Sequence, residues 1–197
     1  MSRVEVIDYN PEWPGDFETI RSLVWPAVRD VALNLEHVGS TAVPGLSAKP
    51  VVDACIVVAS RAAVPGAIAA LASIGYLHRG NLGVPDREAF QRPAPLPRHH
   101  LYVSPRDSLS LKTQLGFRDF LRAHPDAARQ YGDLKAALAR RFPEDIDRYL
   151  AGKTAFVLGI LERIGLSKDE LAEIARINQL ENLVRPHAAT PSDRSDR

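Results

Sequence analysis

Between Leu35 and Val58 the chain reads LEHVGSTAVPGLSAKPVVDACIVV, and most of the residues able to do chemistry lie in that run. Gly39 and Ser40 stand at the end of one apolar segment; Asp53 follows after twelve intervening residues, set among valines. A carboxylate inside an apolar strand is costly unless it is paired, metal-bound or exposed at a cleft. A glycine at a strand end lets a ligand come close to the backbone, and the amides after it can cradle a phosphate. Asp53 beside such a corner could hold Mg2+, with Mn2+ as substitute. A metal that bridges phosphate oxygens meets the main need of phosphoryl and nucleotidyl transfer. Lys49 could neutralise a phosphate or cover the sheet edge with its stem. His37, two residues before the corner, could face the ligand or brace the turn. The bland alternative for Gly39-Ser40 is a plain turn, since such dipeptides are common there.

The elements that would position these groups can be read from periodicity. PEWPGDFETIRSLVWPAVRDVA is helical, with Phe17, Ile20, Leu23, Val24, Ala27, Val28 and Val31 recurring at three- and four-residue steps and Pro26 expected to bend it. LNLEHVG is a short strand, STAVPGLSAK a turn or short helix capped by Ser40 or Thr41, and PVVDACIVVAS a strand apolar on both faces and so interior. RAAVPGAIAALASIG is a helix stopped by Gly75. YLHRG, REAFQR and RHHLYVS are three further short strands between Pro- and Gly-rich loops. From Asp107 the pattern is helical only, in four segments, with Pro125 and Pro143 placed in first turns. The expected organisation is an α/β core over residues 1–106, a helical subdomain over 107–185 and a disordered polar tail over 186–197.

Residues two apart on a strand face the same way, so Cys55 is expected on the face of Asp53 and in its cleft. Its simplest role is a small core residue; a catalytic thiol would need a base such as His100 beside it. In RHHLYVS the alternation puts His99, Leu101 and Val103 on one face and Arg98, His100 and Tyr102 on the other. If the apolar face packs on helices, the Arg98–His100–Tyr102 row opens toward Asp53 and suits an anionic ligand. A solvent-facing stripe is the alternative. Glu88 is a candidate further metal ligand, with Asp86 before it in the loop; both also read as solvated edge residues. GKTAF lacks the glycine-rich loop of a P-loop, so Lys153-Thr154 is not read as an ATP site. Arg118, Tyr131 and Lys153 read as cleft rim or as solvated helix faces.

Composition narrows the field. The 197 residues are 45% hydrophobic and 25% charged, ordinary for a globular protein. A net charge of +1 makes no electrostatic case for DNA or a membrane surface as partner. No apolar run reaches the roughly 18 residues of a membrane span, and MSRVEVIDYN lacks a signal peptide's apolar centre. The single cysteine fits a reducing compartment. A bacterial-type cytoplasmic protein is expected.

The run HVGSTAVPGLSAKPVVD, the later RHHLYV, and FRDFLRAHPDAARQYGDLKAALARRFPEDIDRYLAGKTAF together resemble the GrpB family, from VIDYNPEW to about Leu166. That resemblance implies an α+β, nucleotidyltransferase-like fold: a mixed β-sheet flanked by helices, with a C-terminal helical subdomain. It also implies a relation to the domain fused to dephospho-CoA kinase in some bacteria, where a folding-accessory role has been proposed. The superfamily pattern is Gly-Ser, about a dozen residues, then Asp-x-Asp or Asp-x-Glu on a strand. Here Gly39, Ser40 and Asp53 match, while Cys55 stands in the second carboxylate's place. A thiol is a poor magnesium ligand, which counts against two-metal chemistry. Three functions compete. One is nucleotidyl transfer to a small acceptor, with Asp53 catalytic and metal-binding and with His37, Gly39, Ser40, Thr41, Lys49, Arg98 and His100 on the ligand. Another is a non-catalytic module binding a nucleotide or phosphorylated small molecule. The third is a protein-interaction or folding-accessory domain acting through its helical part.

Overall fold

The computed structural model describes residues 3–184. The expected disordered tail, residues 186–197, lies outside the described residues. In chain order the elements are α1 (Trp13–Val28), β1 (Asn34–Val38), a short 3-10 turn (Ser40–Ala42), β2 (Val52–Val58), α2 (Val64–Ser73), β3 (Leu77–His78), β4 (Glu88–Gln91), β5 (His99–Pro105), α3 (Leu109–Ala123), α4 (Pro125–Arg141), α5 (Ile146–Arg163) and α6 (Lys168–Val184), with a second 3-10 turn at Arg61–Ala63. The strands form one mixed sheet in the order β1-β2-β5-β4-β3. Only the β2–β5 pair is parallel; β1–β2, β5–β4 and β4–β3 are antiparallel. A mixed α+β sheet flanked by helices and followed by helices is the fold that the resemblance implied.

Both faces of β2 are covered, which is why its sequence reads as continuously apolar. Val52, Ala54, Ile56 and Val58 point into the main core, against Ile20, Val24 and Val28 of α1 and Ala67 and Leu71 of α2. The alternate residues face α3: Cys55 and Val57 pack with Val38 and Leu111 in a second, smaller cluster. Asp53, on that same face, lies outside this cluster. The helices after β5 form a third cluster in which Leu121, Ala128, Tyr131 and Ile160 enclose Val43 and Leu46. That packing fixes the loop between β1 and β2, and so the corner at Gly39.

Local signals explain the element ends. Ser108 Oγ accepts from the Leu111 amide at 3.2 Å and starts α3. Pro125 opens α4, as expected. Pro143, expected in the first turn of α5, instead precedes it: Asp145 is the cap, accepting from the Arg148 amide at 3.0 Å, and the helix begins at Ile146. A capping carboxylate just past the proline sets the start. Gly75, at φ +90°, ends the α2 segment. Among the described residues, no helix is long and apolar enough to cross a membrane.

Candidate functional site

The corner is built from Gly39 outward. Its backbone, φ +71° and ψ −168°, lies in a region open essentially to glycine alone. A β-carbon there would also stand 3.0 Å from Asp53 Cβ and Cγ and collide with Oδ2. The antiparallel register explains the closeness, since Val38 pairs with Asp53. The turn of Ser40–Ala42 follows, with Gly39 itself in the cap position; neither the Ser40 nor the Thr41 side chain caps it. Thr41 is buried, and its Oγ1 shares a 3.0 Å hydrogen bond with His37 Nε2. The His37 ring stacks on Phe17 with centroids 4.7 Å apart. Burial pushes the His37 imidazole down to about 4, against the pull of Asp53 and together with Arg122 and Arg118. Of its two readings, bracing the corner fits this neutral, stacked ring. Arg122 completes the brace by donating from Nε to the Ala42 carbonyl at 2.9 Å.

Parallel pairing of β2 with β5 sets Asp53 opposite His100. His100 Nδ1 donates to Asp53 Oδ1 at 2.9 Å, leaving Nε2 as the ring nitrogen for a ligand. Tyr102 continues the row, and the Arg87 guanidinium lies over its ring at 4.7 Å. Ser40, Thr41, Lys49, Asp53 and His100 all line one cleft of about 510 Å³, a volume in the range of small-molecule sites. The other candidates fall elsewhere. Arg98 is exposed just before β5 and does not line the cleft. His99, its neighbour, turns to the opposite face and is buried against Tyr76, whose hydroxyl lies 2.7 Å from Nε2.

Glu88 pairs with Val103, which places it on the face opposite Asp53, where its Oε2 lies 2.6 Å from His78 Nε2. Asp86 pairs with Arg61. Cys55 shares the face of Asp53 as expected but not its cleft: Leu111 of α3 closes over it, it is fully buried, and burial pushes its thiol up to about 12. Among the described residues no group of three His, Cys, Asp or Glu is placed to hold a metal. The donor set at the cleft therefore does not make a resident two-ion centre. A single carboxylate suits a Mg2+ that completes its shell with a ligand's phosphate oxygens and water.

Sequence reading missed Arg79, Arg87 and, above all, Lys135 of α4. Lys135 is 2% exposed, it lines the cleft, and its Nζ finds no hydrogen-bond acceptor among the described residues. Ala128, Tyr131, Gly132 and Lys135 form the buried stripe of α4, so the three-to-four-residue period carried the signal. Lysine's usual exposure hid it. Tyr131, read as rim or solvated surface, is instead core, 5.2 Å from Phe117 and 5.1 Å from Phe156 by ring centroids. Arg118 is neither rim nor solvated. It is buried on α3, donates to Glu36 Oε2 at 2.7 Å and to the His37 carbonyl at 2.9 Å, and so ties that helix to β1. Lys153 does reach the cleft, with Nζ 4.7 Å from the Tyr149 ring centroid. Arg79, from the end of β3, lines it too.

Taken together, the lining sets Lys49, Arg79, Arg87 and Lys153, with the buried amine of Lys135 among them, against Asp53, the one carboxylate among the described lining residues. An overall charge of +1 conceals this local excess of cations. Such a surface attracts a ligand bearing several negative charges.

Comparison with known proteins places the chain. It is 32% identical over 155 residues to the UPF0157 protein YqkA of Bacillus subtilis, covering 79% of this chain and 45% of that protein. The dephospho-CoA kinase of Mycolicibacterium paratuberculosis is 31% identical over 175 residues, 76% of this chain and 43% of that one. This chain thus spans less than half the length of each of these two relatives. The crystal structure of conserved protein GrpB from Enterococcus faecalis superimposes with a TM-score of 0.72 at 30% identity, over 86% of this chain and 99% of that one. The family model described as GrpB protein matches residues 3–163. The chain belongs to the GrpB family.

Proposed function

We propose that the cleft binds a nucleotide or another small molecule carrying several phosphate charges, accompanied by Mg2+ that Asp53 and the phosphates share. The observation that carries this reading is the gathering of Lys49, Arg79, Arg87, Lys135 and Lys153 around Asp53 and His100 in one cleft beside the Gly39-Ser40 corner. A polyanion would offset the mutual repulsion of these side chains. Between nucleotidyl transfer and binding without turnover, the burial of Cys55 supports the second. The strand position that would carry a second carboxylate is sealed under α3, and in-line transfer with two ions needs more than one carboxylate.

The test is calorimetry and thermal shift with ATP, CTP, GTP, UTP and inorganic tripolyphosphate, with and without Mg2+. At least one nucleotide should bind. His100→Ala and Lys49→Ala should each weaken it by about 1–3 kcal/mol while remaining folded, the scale of a charge-assisted hydrogen bond. Asp53→Asn should remove the Mg2+-dependent part. Absence of binding by every probe, or unchanged affinity in both the His100→Ala and Lys49→Ala variants, would overturn the reading.

A further inference from the structure

Lys135 is the group that the cleft's other contacts leave unexplained. A buried ammonium normally sits against an acceptor, because its desolvation is otherwise uncompensated. Here Nζ has none among the described residues, and its near neighbour is the face of Tyr131, 4.6 Å from the ring centroid. The charges that bear on it come from two other elements: Lys153 of α5, which disfavours the ammonium, and Asp53 of β2, which favours it. Lys49, Arg79 and Arg87 line the same cleft. Tyr131 and Tyr149 stay neutral, their phenols pushed up by burial.

We propose that Lys135 receives an anionic group of the ligand at the floor of the cleft, and that it does so by taking up a proton as the ligand binds. The inference rests on the cleft being a phosphate-binding site, and it adds the residue and the coupling. Burial first and Lys153 second push the amine down to about 7, so as pH rises above neutrality it loses its charge. A phosphate brought against it supplies the missing acceptor and countercharge, which restores the ammonium. Proton and anion therefore enter together, and the affinity for the anion falls as pH rises above 7. No bond is made or broken beyond the transfer of one proton from solvent to Nζ.

The experiment is calorimetry with ATP in EDTA at about pH 8, in Tris and in HEPES, whose ionisation heats differ. At that pH the terminal phosphate, with a pKa of about 6, is already ionised and exchanges no proton of its own. The wild type should take up close to one proton. Lys135→Arg should bind without uptake, because its cation is permanent. Lys135→Met should bind at least tenfold more weakly and without uptake. Equal uptake in wild type and Lys135→Met, or no uptake in the wild type at about pH 8, would overturn the coupling while leaving the binding reading intact. A chain that binds neither ATP nor any of the other four probes, under any of these conditions, would bring both down.

Discussion

At the scale of single residues, the site depends on one side chain that is absent. Gly39 combines a backbone conformation that other residues avoid with an approach to Asp53 too close for a β-carbon. The carboxylate can lie against the corner and still be held by His100 only because nothing occupies that space. Gly39→Ala should therefore act twice. The strained conformation costs about 1–3 kcal/mol, and Asp53 must move away from the new methyl. Urea denaturation should show a loss of at least that size. Calorimetry on whatever folded protein remains should show nucleotide binding reduced more than the loss of stability accounts for. A variant as stable as the wild type would mean that the corner can relax at no cost. Asp53, Gly39 and Ser40 were legible because type and spacing together marked them. Lys135 was not, because a lysine in a helix is read as solvated unless its neighbours at three and four residues are weighed with it. Arg118 was misread for the same reason: its length lets it reach from α3 to the backbone of β1, which no local pattern records.

At the scale of elements, the corner is held from behind by β1 and α1, and His37 is the link. It stacks on Phe17, bonds Thr41 and is kept neutral by burial. Its folded-state pKa of about 4 lies below the ordinary 6.5. Between those values the unfolded chain binds a proton that the folded chain does not. The sign follows: stability from this group is fully present above about pH 6.5 and is lost as pH falls toward 4. The buried His99 is shifted down by the same main cause, so it acts in the same direction. His37→Phe keeps a ring against Phe17 and removes the titration. Its melting temperature should be lower than that of the wild type near neutrality, through the lost bond to Thr41, but should fall less between pH 6.5 and 4. Parallel acid limbs in the two proteins would show that His37 does not report on the corner. The strands themselves were read well from sequence because burial on one face writes a two-residue period and burial on both writes a continuous apolar run. The register that sets Asp53 opposite His100 was not. It depends on how β5 is inserted beside β2, a contact between segments 47 residues apart, and local pattern carries no information about pairing at that distance.

At the scale of the whole molecule, α3 divides one face of the sheet into two environments. Toward its covered half, Cys55, Val57 and Val38 form a dry cluster under Leu111. Toward the open half, Asp53, His100 and Tyr102 face a cleft walled by α4 and α5. The alternation of a strand assigns residues to faces; it cannot say where along a face the cover ends. That is why Cys55 and Asp53, correctly placed on one side, have opposite surroundings. The division makes a definite prediction for Cys55→Asp, the substitution that would restore the two-carboxylate pattern by sequence. If the cleft extended to residue 55, the new carboxylate would repel Asp53 in chelator and the protein would recover stability on adding Mg2+ or Mn2+. With residue 55 sealed under α3, the substitution instead buries a carboxylate beneath Leu111, near Glu36 and with Ser104 and Arg87 as its polar neighbours. Its melting temperature should drop sharply and equally in EDTA and in millimolar Mg2+, and the variant should gain no metal affinity over the wild type. Recovery on adding the ion would show that α3 lifts from the sheet and that the cleft can open as far as Cys55. The sealed thiol offers an independent check on the same closure, because its shift up to about 12 leaves almost no thiolate at neutral pH. Cys55 should react with a thiol reagent only as fast as α3 opens, and Leu111→Ala, which thins the cover, should speed that reaction without touching the cleft.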